Sequence, residues 1–124
     1  MKKTVLCYNL KGTKKGKEIS MIFSYLGFRV RAVDPGDYEM TISDLLEGKT
    51  ADQKSEGEGF TDEMLVIAGA TDDALNQALY LMNKQKASVD LKAVVTDNNR
   101  DWTSLALHEE ISKEHQYMKG NKDS

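Results

Sequence analysis

Leu91-Lys92-Ala93-Val94-Val95-Thr96-Asp97-Asn98-Asn99-Arg100-Asp101-Trp102-Thr103 is the stretch from which the fold reads outward. A short apolar run breaks into a polar turn, and a segment with the only tryptophan follows at once. That is a strand delivering hydrogen-bonding groups to a sheet edge, where open α/β folds keep their ligand sites. The helix after it is expected to start near Asn99 or Asp101, bury Trp102, Leu105 and Ile111, and fray after Met118. Upstream, Met64-Leu65-Val66-Ile67-Ala68 is continuously apolar, as a strand covered on both faces should be. Gly69 makes its exit. Thr71 is a good cap for a helix carrying Ala74, Leu75, Ala78, Leu79 and Met82.

The first part of the chain repeats this order. Val5-Leu6-Cys7-Tyr8 is a short buried strand. Ile19, Ile22, Phe23 and Leu26 then form a one-sided helical stripe, and Gly27 suits the helix end. Phe28-Arg29-Val30-Arg31-Ala32-Val33 alternates, which marks an edge strand with Arg29 and Arg31 turned outward. Asp34-Pro35-Gly36-Asp37 is a turn, with Asp37 expected to cap a short helix over 37–47. Residues 49–59 hold no large apolar side chain and read as a mobile loop.

The expected architecture is a single α/β domain: a four-stranded, mostly parallel sheet of order 2-1-3-4 with helices on its faces. One βαβα half spans 1–48, a mobile loop 49–60, a second half 61–118, and a polar tail 119–124. A ferredoxin-like arrangement with an antiparallel pair is the alternative.

At 124 residues the chain suffices for one domain, burying ~65–70% of its unfolded surface. The net charge of -3 disfavours non-specific nucleic-acid binding, although residues 1–17 carry six lysines and no acid. A single cysteine allows no internal disulfide, and no apolar run approaches the ~20 residues of a membrane helix. The N-terminus shows no signal-peptide pattern, so a cytoplasmic location is expected.

Val5-Leu6-Cys7-Tyr8-Asn9, Glu63-Met64-Leu65-Val66-Ile67 and, above all, Lys92-Ala93-Val94-Val95-Thr96 followed by Asn99 and Trp102 resemble a small bacterial family known only as a domain of unknown function. The resemblance covers most of residues 4–117. It implies a compact α/β domain and carries over no activity, cofactor or catalytic residue. The turn Thr96-Asp97-Asn98-Asn99 departs from the proline-containing turn expected there.

Lys11-Gly12-Thr13-Lys14-Lys15-Gly16-Lys17-Glu18 stands where a phosphate loop would. A P-loop needs four residues between its glycines and then Lys-Ser/Thr, whereas this chain has three and ends in Glu18. Its lysines either splay into water, with the helix starting near Glu18, or bind an anion at a helix start. Cys7 reads as a core residue. His108 and His115 lie among Glu109, Glu110 and Glu114 without metal-ligand spacing, so no metal and no cofactor is expected. Trp102 either stacks on a ligand or packs the last helix, with Asn99 as its cap.

The leading expectation is a non-enzymatic, regulatory interaction module whose partner is a protein, with a homodimer left open. The alternative is a small-molecule or anion-binding protein, or an enzyme, using the edge formed by Asn9, Gly12, Lys14, Lys15, Gly69, Thr96, Asn99 and Trp102. In that alternative the turns after the first, third and fourth strands converge on one ligand.

Overall fold

The computed structural model describes residues 3–54 and 59–122, with side chains through Gln116. Strands β1 (Thr4–Tyr8), β2 (Arg29–Val33), β3 (Met64–Ala68) and β4 (Leu91–Val94) form one sheet of order β2-β1-β3-β4. The helices are α1 (Lys14–Tyr25), α2 (Ile42–Leu46), α3 (Asp72–Lys84) and α4 (Ser104–Lys122). The α/β sheet of order 2-1-3-4 is therefore present. Pairs β1–β2 and β3–β4 are parallel, and the central pair β1–β3 is antiparallel.

Both central strands are buried along their whole length. Alternate residues of β1 and β3 feed two cores. On one face Val5, Cys7, Leu65 and Ile67 meet Ile19, Phe23, Ala78 and Met82 of α1 and α3. On the other, Leu6, Tyr8, Met64 and Val66 meet Ile42 and Leu45 of α2 and Leu107 of α4.

The two halves are related by an approximate two-fold axis. The β1–β3 register is centred on Leu6 opposite Val66, with two residue pairs on each side. Thr41, which caps α2, bridges Thr103, which caps α4. Around that bridge Ile42 N donates to Trp102 O (2.9 Å) and Ser104 N to Met40 O (3.4 Å). Thr13 and Thr71 cap α1 and α3 by accepting from Gly16 N and Ala74 N. Both helices then end alike: Gly27 (φ 87) and Lys86 (φ 58) are left-handed, Phe28 N donates to Phe23 O, and Ala87 N donates to Met82 O. A lysine can hold this φ, but the conformation favours glycine.

Several local expectations are corrected. Asp37 does not cap a helix: Pro35–Asp37 is a 3₁₀ turn, and α2 starts at Ile42. Its buried carboxylate instead accepts from Ala51 N (3.0 Å) and Lys54 Nζ (2.7 Å). Arg31 does not point outward. Its guanidinium donates to Leu45 O (2.6 Å) and lies 3.8 Å from Asp37, tying the edge strand to α2. In the segment 49–60, expected as a mobile loop, Ala51 N and Lys54 Nζ donate to Asp37 and Phe60 is buried, and residues 55–58 lie outside those described. α1 begins at Lys14, so the lysines form its first turn and do not precede it. α4 begins at Ser104, later than either predicted start, and continues past Met118 to Lys122. Of the tail 119–124, residues 123 and 124 lie outside those described. Among the described residues no helix is long and apolar enough to cross a membrane.

Candidate functional site

The antiparallel central pair decides where the predicted site residues lie. The C-terminal ends of β1 and β2 share one sheet edge with the N-terminal ends of β3 and β4. Asn9, Gly12, Lys14 and Lys15 therefore stand at the edge opposite Gly69, Thr96 and Asn99. Central strands of five residues set these edges about 17 Å apart. The predicted convergence of three turns on one ligand does not occur.

At the first edge, both side-chain polar atoms of Asn9 are engaged within the protein. At φ 62, its Nδ2 donates to Phe60 O (3.0 Å) and Asp62 O (2.8 Å), and its Oδ1 accepts from Tyr38 Oη (3.1 Å). This fixes an aromatic stack that the sequence did not reveal. The Tyr38 and Phe60 rings stack at 4.6 Å, and His108 lies flat on Phe60 at 3.8 Å and 3°. His108 Nε2 is 2.8 Å from an Asp62 carboxylate oxygen and 3.2 Å from Ser112 Oγ. The readable signal was Phe60 itself, a large apolar residue closing a polar stretch. Beneath the stack, Tyr8 Oη and Ser104 Oγ share a 2.7 Å hydrogen bond, and burial raises the Tyr8 phenol above its ordinary range.

The lysines are not equivalent. Lys15 pairs with Glu63 at 2.8 Å, both half-buried, whereas Lys14 and Lys17 are exposed. Gly12 takes a left-handed turn (φ 79). Gly16 serves packing, because a Cβ there would lie 2.0 Å from Leu10 O. Lys11, Lys14 and Lys17 flank a groove of about 510 Å³ floored by Cys7, Leu10, Val30 and Ala32. Burial pushes the Cys7 thiol up to about 12, so it remains a protonated core group. A polar cleft of about 360 Å³ lies below Asp62 and Glu63, where Asp90 and His115 join them. Among the described residues no group of three or more histidines, cysteines and carboxylates is placed to hold a metal ion.

At the second edge, Gly69 (φ 74) makes an exposed turn. Thr96 and Asn99 close a small ring: Thr96 N donates to Asn99 Oδ1 (2.9 Å), and Asn99 N to Thr96 Oγ1 (3.2 Å). Asn99 Nδ2 also donates to Val94 O, so Asn99 orders the turn and does not cap α4, a role taken by Thr103. Trp102 packs against the α2/α4 core, which favours packing over ligand stacking.

Residues 63–118 match the model of the domain of unknown function DUF3783. The matched segment holds β3, α3, β4 and most of α4, including the Thr96–Trp102 turn. It begins where the second half begins, a narrower range than the resemblance over 4–117 implied. No curated protein and no solved structure matches the chain.

One surface draws on both halves. α1, from outside the matched segment, and α3, from inside it, lie side by side on the same sheet face. Between them runs a groove of about 440 Å³ lined by Glu18, Met21, Ile22, Tyr25, Leu81 and Gln85. Met21 and Tyr25 are 64% and 83% exposed, and Tyr80 on α3 is also exposed.

Proposed function

We propose that this chain is a non-enzymatic regulatory interaction module of the bacterial cytoplasm that binds a protein through the outer face of α1 and α3. The carrying observation is the exposure of Met21 and Tyr25 along an apolar groove. Exposed apolar patches mark interaction sites, and Met and Tyr are favoured there. The polar residues at the sheet edges support the same reading. Asn9 secures the 60–62 segment, Asn99 orders a turn, His108 is stacked and paired, and Cys7 is buried and protonated.

A photo-crosslinking residue at position 25, introduced into the full chain in bacterial cells, tests the proposal. Protein adducts should form at position 25, fall on adding Met21→Asp, and be absent when the probe replaces exposed Glu109 on α4. Equal labelling from both positions, or none from position 25, would sink it.

A second reading rests on the groove beside Lys11, Lys14 and Lys17, whose apolar floor and basic rim suit a small anionic organic ligand. A thermal-shift screen of phosphorylated and carboxylated metabolites tests it, because a native-state ligand raises Tm by mass action. A shift that survives Lys11→Glu together with Lys14→Glu would place the ligand elsewhere.

A further inference from the structure

We infer that the partner on the α1–α3 face is a second copy of this chain, docked face to face about a two-fold axis running across the helices. The inference rests on the interaction reading above and adds the identity and orientation of the partner. Antiparallel strands β1 and β3 make α1 and α3 antiparallel, so the start of each helix lies beside the end of the other. α1 starts with the exposed Lys14 and Lys17, and α3 ends beside them with exposed Lys84. At the opposite end α3 starts with exposed Asp72 and Asp73, where the last turn of α1 holds no charged residue and the half-buried Lys3 donates to Leu26 O just beyond it. Between these ends lie Met21, Ile22 and Leu81. Glu18 also lines the groove at the lysine end but is outnumbered by Lys14, Lys17 and Lys84, so the face is net basic at one end, apolar in the middle and acidic at the other.

Two such faces can meet about two kinds of two-fold axis in the contact plane. An axis along the helices sets α1 on the partner's α3, so that Lys14 and Lys17 meet the partner's Lys84 and no acidic group opposes them. An axis across them sets each helix on its own copy, so that Lys84 meets the partner's Asp72 and the partner's Asp73, Lys14 and Lys17 lie one helix width (~10 Å) to the side of them, and the apolar centres coincide. Only the second is electrostatically self-complementary. Helices of 12 and 13 residues are each about 18–20 Å long and ~10 Å wide, so about 400 Å² per copy comes into contact. That places the dimer in the small, transient class, dependent on concentration and salt.

Sedimentation velocity on the full chain, from micromolar to millimolar concentration, reads the association directly. The unmodified protein should dimerise with rising concentration, and its Kd should weaken roughly tenfold between 0.05 and 0.5 M salt. A chain that stays monomeric throughout, or a dimer indifferent to salt, overturns the inference. Charge reversal then fixes the orientation. Lys14→Glu, Lys17→Glu and Lys84→Glu together give a face acidic at both ends, and Asp72→Lys with Asp73→Lys gives one basic at both ends. Each reversed chain should be monomeric alone, and an equimolar mixture should form a heterodimer. Reversed chains that self-associate as tightly as the original refute the arrangement, and the salt dependence of the unmodified chain decides the matter if a reversed chain fails to fold. Crosslinks from position 25 to a different protein alone would overturn self-association and leave the interaction reading standing. Crosslinks to no protein would remove both.

Discussion

Replacing Asn9 with alanine separates a structural residue from a ligand-binding one. The substitution deletes two hydrogen bonds donated to Phe60 O and Asp62 O, each worth about 0.5–1.5 kcal/mol net. It also takes the acceptor from Tyr38 Oη, on a residue only 1% exposed, at about 1–3 kcal/mol for a polar group left unpaired. Alanine at φ 62 adds about 1 kcal/mol of backbone strain. The expected loss is about 3–7 kcal/mol, a large share of the ~5–15 kcal/mol stability of a typical domain. Urea unfolding followed by far-ultraviolet circular dichroism measures it. Asn9→Gly, which keeps the left-handed backbone but loses the same bonds, should recover about 1 kcal/mol relative to alanine. A loss below about 1 kcal/mol for Asn9→Ala would show that the 60–62 segment does not depend on this side chain.

Three further outcomes are expected. Burial works to raise the Asp37 carboxyl, but the Lys54 hydrogen bond, the Ala51 amide and the charges of Lys54 and Arg31 outweigh it and hold it below its ordinary value. Its stabilisation is therefore fully present above the unfolded carboxyl's pKa of ~4 and lost as pH falls through the lower folded value. Asp37→Asn should flatten that acid limb in pH-dependent urea unfolding, and an unchanged limb would contradict the account. Cys7, pushed up to about 12 and buried, should resist iodoacetamide at pH 8 in the native protein and label at the rate of unfolding; rapid native labelling would show that the strand opens locally. Gly16→Ala places a Cβ 2.0 Å from Leu10 O and should cost at least about 3 kcal/mol in Tm-derived stability, whereas a neutral result would mean that α1 shifts freely on the turn before it.

The strands were legible because their patterns have local causes. The alternation of residues 28–33 identified β2 as an edge and led directly to the order 2-1-3-4. The direction of β3 relative to β1 was not legible. Both strands are apolar on both faces, and such a pattern is the same for either direction, while the connection through α2 and residues 47–63 imposes no parallel crossover. That one unreadable feature also misplaced the site, since gathering three turns on one edge required β1 and β3 to be parallel. Asn9 and Asp37 were noticed for the right chemistry but given the wrong targets. Their partners at Phe60, Asp62, Ala51 and Lys54 are distant in sequence, and no local rule joins them.

The approximate two-fold axis has a consequence for what the chain can become. Were the same architecture assembled from two identical half-length chains, any residue in the first turn of α1 would recur in the first turn of α3. Both ends of that face would then carry one sign, and no exchange of sequence could make them differ. Here one chain supplies both halves, so equivalent positions hold different residues: Lys14 and Lys15 in one helix start, Asp72 and Asp73 in the other, Asn9 after one strand and Gly69 after its counterpart. Covalent linkage has let the scaffold keep its symmetry while its surface acquires direction. A face with direction can tell one orientation of an incoming molecule from the reverse, a discrimination unavailable to the symmetric ensemble of the same shape.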